Sequence, residues 1–137
     1  MNTENLERIR SIAEHYWKSF NNDPDYDPKA DCLNTAKRLG NFLKKEGFSV
    51  LLVKGTFELD NPDPENYSDW DVNDFDSEEE METEMYHALH YWNEIDEIII
   101  DITAYQFQDE VDEALEFIVV GTYKDYCRYT PQDRKKL

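Results

Sequence analysis

The stretch from His90 to Phe107, HYWNEIDEIIIDITAYQF, constrains the fold more than any other part of the sequence. Its alternating pattern and its many β-branched residues predict two short strands joined by a tight turn. The first strand carries His90-Tyr91-Trp92, and the second covers residues 98–103. A hairpin of this kind pairs its two strands in the antiparallel direction.

Parity along this hairpin decides which side chains share a face. If Asp96 and Glu97 are the central turn residues, Asp101 lies opposite Trp92 and diagonal to His90. If the turn is centred one residue earlier, Asp101 lies directly opposite His90. Both registers place His90 and Asp101 on one face because strand side chains repeat every two residues, whereas an odd-length loop would separate them. A histidine beside a carboxylate is the orienting half of a catalytic triad.

Length and charge limit the classes of function. A chain of 137 residues predicts a single domain over residues 1–137. Its net charge of −18, from 32 acidic and 14 basic residues, argues against binding to nucleic-acid phosphates or to anionic membranes and suits a protein that meets a basic partner. With no span-length apolar run, no signal-like start and two cysteines, we expect a cytoplasmic protein with free thiols. The oligomeric state is left open.

Two helices are predicted before the first strand. Residues 4–20 carry an amphipathic stripe, and a second helix begins near Asp27 or Asp31 and stops near Gly47. With either start, Cys32 falls in the first turns, where unpaired N–H groups and the helix dipole favour a thiolate. A buried structural role is the common alternative for a free cysteine, and it is the role that we predict for Cys127.

Further strands are expected on both sides of the hairpin. Residues 48–53 form a nearly continuous apolar run that predicts a central strand, with a continuation past Gly55 to Leu59 as the longer alternative. Gly55 marks a bulge or a close approach of two backbones. Residues 115–120 predict another strand that ends at Gly121. We expect the tail, residues 123–136, to pack its tyrosines on the sheet and to fray at its basic end.

The segment from residue 60 to residue 84 is acidic throughout and contains no lysine or arginine. Like charges at this density predict a solvated loop or insertion, which we expect beside the active site as a lid. Five of its residues match the ligand positions of an EF-hand loop, but Asp74 replaces the required glycine, so we predict no metal and no cofactor. The five are Asp69, Asp71, Asn73, Ser77 and Glu80.

Four short segments within residues 30–107 resemble a known superfamily. They are Asp31-Cys32, Gly55-Thr56-Phe57, His90-Tyr91-Trp92 and Asp101-Ile102-Thr103-Ala104-x-Gln106-Phe107. Their order is similar to that of papain-like and transglutaminase-like cysteine enzymes. The second half resembles small bacterial transglutaminase-like proteins, in which H-x-W precedes a D-x-T-x-x-Q-F strand end.

The resemblance implies an α+β fold in which N-terminal helices pack on an antiparallel sheet. It also implies a cysteine hydrolase or acyltransferase that acts on an amide or ester. The net charge of −18 adds the expectation that the substrate is a protein or peptide of basic character. Cys32 would attack the acyl carbon, His90 would move the proton, and Asp101 would orient the imidazole. Trp92 would shield the pair from water, with Gly55 and Gln106 in supporting positions.

One departure concerns the oxyanion site. Papain-like peptidases place a glutamine shortly before the nucleophile, and no glutamine precedes Cys32. The Cys32 backbone N–H is a natural donor, and Tyr26 or Asn22 could substitute for the missing side chain. We therefore expect amide hydrolysis, deamidation or acyl transfer on a narrow substrate rather than broad proteolysis. Gln106 follows Asp101 instead of preceding the nucleophile, and a structural role is the alternative to a role in the site.

A second hypothesis belongs to a different class of protein. The net charge of −18 also suits an inactive version of the same fold that covers a basic surface or imitates nucleic acid. In either case His87 lies three residues before His90, so it points to the opposite face of its strand. We expect His87 to be a surface or structural residue.

Overall fold

A computed structural model describes residues 1–137, except for the side chain of Lys29. The fold is α+β, as predicted, with two helices first, a third helix between the first two strands, and short 3₁₀ segments between some of the elements. In chain order they are α1 (Thr3–Asn21), α2 (Pro28–Lys45), β1 (Leu51–Glu58), α3 (Glu78–Met85), β2 (His87–Ile95), β3 (Ile98–Asp101), β4 (Val119–Thr122) and β5 (Tyr129–Lys136).

The five strands form one antiparallel sheet in the order β4-β3-β2-β1-β5. Asp96 and Glu97 join β2 to β3 with φ angles of 48° and 65°, as a type I′ turn requires. The pairing of Asn93 with Ile100 therefore places Asp101 opposite Trp92. This is the first of the two predicted registers, with His90 diagonal to Asp101.

The two N-terminal helices pack on one face of the sheet. Their apolar stripes, which include Ile9 on α1 and Leu39 on α2, meet Ile100 on β3. Helix α2 lies very close to β2, because a Cβ atom at Gly40 would stand 2.4 Å from Oδ1 of Asn93. The opposite face carries a second, largely aromatic core that contains Phe57, Trp92, Phe107 and Tyr129.

The tail differs from its prediction, because it forms the edge strand β5 instead of fraying. Tyr129 enters the core at 5 % exposure, while the basic residues that follow pair with β1. Pro131 and the charged side chains hide this strand from sequence patterns, and they also suit an edge strand, which must resist pairing with other chains. Strand β4 begins later than expected, at Val119, and includes Gly121.

The acidic segment is more ordered than the predicted loop. It contains two 3₁₀ turns, Pro64–Tyr67 and Val72–Asp74, followed by α3. Each begins with a side chain that caps its first turn. None of the three has a buried residue, so the sequence contains no apolar pattern that could have predicted them. In the described part of the chain, no helix combines the length and apolarity needed to cross a membrane.

Candidate functional site

His90 and Asp101 form a buried pair on the aromatic face of the sheet. Nε2 of His90 lies 2.7 Å from Oδ2 of Asp101, and the two side chains are 0 % and 2 % exposed. Aromatic rings surround the imidazole, with the centroids of Phe57, Phe107 and Trp92 at 6.0, 5.1 and 5.8 Å. The parity of the hairpin brings these two residues together as predicted.

Asp101 accepts three further hydrogen bonds. Oδ1 accepts from the backbone N–H of Thr103 at 2.9 Å and from its hydroxyl at 3.0 Å. Oδ2 accepts from the hydroxyl of Tyr129 at 2.6 Å as well as from His90. Both oxygens are thereby saturated, so the carboxylate is held in a fixed orientation toward the imidazole.

The two groups hold each other in their charged forms. Burial by itself lowers the pKa of His90, but the charge and hydrogen bond of Asp101, with a smaller contribution from Cys32, raise this pKa to about 9. Burial by itself raises the pKa of Asp101, and His90 together with the donors from Tyr129 and Thr103 lowers it below its ordinary value. At neutral pH the site therefore contains an imidazolium beside a carboxylate.

Cys32, on helix α2, lies close to this pair although it is far from it in the sequence. Its side chain is partly exposed, and it is close enough to contribute to the raised pKa of His90. Nδ1 of His90 has no regular hydrogen bond with any described residue. We interpret the contact between Cys32 and His90 as proximity without the alignment of a formed hydrogen bond. The three residues predicted as a triad thus converge.

The backbone N–H of Cys32 does not fit the predicted oxyanion role. Helix α2 begins at Pro28, so Cys32 is its fifth residue. In an α-helix only the first four N–H groups lack an intrahelical partner, so that of Cys32 belongs to the hydrogen-bonded ladder. An oxyanion donor in this site must therefore come from a side chain or from another part of the backbone.

Tyr26 is such a side chain. Its hydroxyl is hydrogen-bonded to Oγ1 of Thr35 at 2.9 Å, and its ring stacks on Phe20 at 5.2 Å between centroids. Burial raises the pKa of Tyr26, with a smaller contribution from the charge of Asp101. Tyr26 therefore stays protonated at neutral pH, and its hydroxyl is available as a hydrogen-bond donor.

The other predicted residues have packing roles. Trp92 is fully buried beside His90 and donates from Nε1 to the hydroxyl of Tyr123 at 3.0 Å. Gly55 makes room for the Trp92 ring, since a Cβ atom there would stand 2.5 Å from it and 2.2 Å from the carbonyl oxygen of Thr130. Gln106 donates to the carbonyl of Thr103 at 3.0 Å, which fixes the turn after Asp101.

Tyr129 and Thr35 were missed by sequence reasoning. Tyr129 lies 28 residues after Asp101 in a tail with no strand pattern, so no local signal connects the two. Thr35 lies one helical turn after Cys32, on the same side of α2, and this spacing was the one signal that could have identified it. Both residues position groups that contact the candidate triad.

His87 and Cys127 are the second histidine and the second cysteine that could be mistaken for site residues, and neither belongs to the triad. His87 is exposed and its Nδ1 lies 2.7 Å from the carbonyl oxygen of Thr83, on the opposite parity to His90. Cys127 is exposed, and its sulfur lies 3.6 Å from the carbonyl oxygen of Lys124. Each provides an internal comparison for the chemistry of its counterpart in the site.

Three of the five residues that matched an EF-hand loop cap helical turns. Asp71 accepts from the N–H of Asn73, Ser77 accepts from Glu80, and the Glu80 carboxylate accepts from Asp76. Among the side chains that the structure describes, no three His, Cys, Asp or Glu residues are grouped to hold a metal ion.

Comparisons with models of protein families, with curated proteins and with solved structures give no match for this chain.

Proposed function

We propose that this protein is a cysteine hydrolase or acyltransferase with a papain-like or transglutaminase-like core. The observation that carries the proposal is the convergence of Cys32 on the buried His90–Asp101 pair. A nucleophile, a base and an orienting carboxylate are the three parts that acyl transfer requires. Free thiols persist in reducing compartments, so we place the activity in the cytoplasm.

The chemistry begins with the charges that the site already holds. His90 is protonated at neutral pH, and in the proposed reactive form Cys32 is a thiolate beside this imidazolium. The Cys32 sulfur attacks the carbonyl carbon of an amide or ester, and the hydroxyl of Tyr26 donates to the oxyanion that develops. His90 gives its proton to the leaving amine or alcohol as the C–N or C–O bond breaks, which leaves a thioester on Cys32.

The second half returns the site to its starting state. Water, or an amine in an acyl transfer, attacks the thioester while His90 accepts the proton of this nucleophile. The C–S bond breaks, the acyl product leaves, and thiolate and imidazolium are regenerated. Asp101 stays charged throughout, because four hydrogen bonds stabilise its carboxylate.

Alkylation by iodoacetamide tests the proposal before any substrate is known. Cys32 is less exposed than Cys127, so exposure alone predicts that Cys127 reacts faster. We expect the reverse near neutral pH, with Cys32 slowed roughly tenfold or more in His90→Ala. Mass spectrometry of the two cysteine peptides measures both rates in one sample.

His87→Ala is the matched control, because it removes an exposed histidine from the same strand, and we expect no change in the rate at Cys32. If Cys32 reacts no faster than Cys127, or if His90→Ala has no effect, the enzyme proposal fails. The inactive acidic interaction protein then becomes the better hypothesis, and binding of basic partners to Cys32→Ser tests it.

A further inference from the structure

A groove of about 690 Å³ lies between the sheet and the acidic segment. Strands β1, β2 and β5 provide its floor, and the acidic segment provides its wall. The floor includes Leu89, which is 56 % exposed and is the most exposed large apolar residue of the described chain. The rings of Tyr67 and Trp70 form the wall together with Glu84.

The course of α2 places this groove next to Cys32. Gly40 packs against Asn93 and Leu137, the Ala36 carbonyl accepts from Asn93, and Cys32 reaches His90. The helix therefore runs along β2 with its N-terminal end toward His90. The residues that precede His90 on β2 lie beyond that end of the helix.

The alternation of side chains along β2 identifies which face of the sheet carries the groove. Leu89 is four residues before Asn93, so both side chains point to the side of the sheet that α2 covers. Leu89 directly precedes His90 on β2. A stretch of two strand residues is about 7 Å long, so the two positions are close together. The groove thus lies on the α2 face of the sheet, and its floor residue Leu89 directly precedes His90 in β2.

We infer that this groove binds an extended polypeptide segment with basic side chains and presents its acyl group to Cys32. The inference rests on the proposed function, for which it names a substrate class. Leu89 offers an apolar contact, and the partly buried rings of Tyr67 and Trp70 line the wall that a lysine or arginine side chain would meet.

Charge complementarity selects a basic occupant. Glu84 lines the groove, and α3 adds Glu78, Glu79, Glu80 and Glu82 on exposed or half-exposed positions. Among the described residues that line the groove none is Lys or Arg, and the ones that can carry a charge near neutral pH are Glu84 and His87. Lys54, two residues before Thr56 on β1, stands opposite Asp133 across the β1–β5 pairing. The surroundings of the groove are therefore negative, which attracts a cationic chain and repels an acidic one.

Binding is measured in the Cys32→Ser protein so that no turnover interferes. The probe is a fluorescein-labelled peptide of nine residues, built of Gly and Ser with three Lys and one Leu, and its partner carries Glu in place of Lys. We expect the lysine peptide to bind, as read by fluorescence anisotropy, and the glutamate peptide not to bind. Leu89→Lys should weaken binding about tenfold, which corresponds to 1.4 kcal/mol.

Val72→Lys is the matched control. It makes the same change in charge at an exposed apolar position of the acidic segment that does not line the groove. Equal weakening by Leu89→Lys and Val72→Lys would mean that net charge alone attracts the peptide, and this would overturn the inference. Failure of the lysine peptide to bind would overturn it as well.

A protection experiment connects the groove to the sulfur. In the wild-type protein, saturating lysine peptide should slow the alkylation of Cys32 and leave Cys127 unchanged. Binding without protection would overturn the inference, because the groove would then not lead to the nucleophile. The outcome is independent of the test of the proposed function, which compares alkylation rates without peptide.

Discussion

At the scale of single residues, the charges of the site depend on Asp101. A carboxylate in an apolar environment is normally driven to its neutral form. Here two donors from Thr103, one from Tyr129 and the imidazolium of His90 satisfy both oxygens. The lowered pKa of Asp101 and the raised pKa of His90 are two consequences of this one arrangement.

The raised pKa of His90 predicts a pH dependence of stability. A group whose folded-state pKa lies above its unfolded value stabilises the fold at low pH and stops doing so as pH rises. The contribution of His90 is full below pH 6.5, declines through pH 9 and is absent above it. The difference is about 3 kcal/mol in the free energy of unfolding, measurable by urea denaturation at a series of pH values.

Asp101 does not disturb this window, because its lowered pKa affects stability only when the pH falls below about 4. His90→Gln should be less stable than wild type at pH 6 and should lose most of the slope between pH 6 and 9. His87→Gln, which removes an exposed histidine, should keep the wild-type slope. Parallel curves for wild type and His90→Gln would contradict the assignment of the slope to the buried pair.

At the scale of elements, the hairpin was predictable and the tail was not. The period of two in β-strands fixes a shared face from parity alone, so His90 and Asp101 could be paired from their sequence positions. Strand β5 has one buried residue, Tyr129, followed by proline and charges, so its identity depends on pairing with β1. The approach of Cys32 to His90 likewise depends on how α2 packs on the sheet, which no local pattern encodes.

The close packing of α2 on β2 predicts the effect of Gly40→Ala. In an open helix this change would gain up to about 1 kcal/mol of helix propensity. Here the new methyl group would stand 2.4 Å from Asn93 and from Leu137, and overpacking of this kind costs about 1–3 kcal/mol. We expect a net loss in the free energy of unfolding by urea, and slower alkylation of Cys32 because α2 must move.

Asn41→Ala is the control for this prediction, because the neighbouring position is exposed on the same helix. It should be neutral or slightly stabilising and should leave the reactivity of Cys32 unchanged. A Gly40→Ala protein as stable as Asn41→Ala would mean that the helix does not sit as close to the strand as the structure has it.

At the scale of the whole molecule, a net charge of −18 opposes compaction. A few ion pairs offset part of this repulsion, among them Arg128 with Asp60 and Glu113, and Arg134 with Glu94. Such partly exposed pairs contribute about 0–1 kcal/mol each. The acids of α3 have no basic residue in their own helix, so repulsion is concentrated on the wall of the groove.

This imbalance predicts that salt stabilises the protein. Screening weakens both the attractive pairs and the repulsion, and the repulsion is the stronger of the two because 32 acidic residues face 14 basic ones. Raising NaCl from about 10 to about 300 mM should therefore increase Tm, by about 4 °C if the gain is about 1 kcal/mol.

Removing three exposed acids with Glu78→Gln, Glu79→Gln and Glu82→Gln changes the net charge from −18 to −15. This variant should have a higher Tm at low salt and a smaller salt response, as scanning calorimetry can measure. A Tm that falls with salt would mean instead that the ion pairs of Arg128 and Arg134 outweigh the repulsion among the acids.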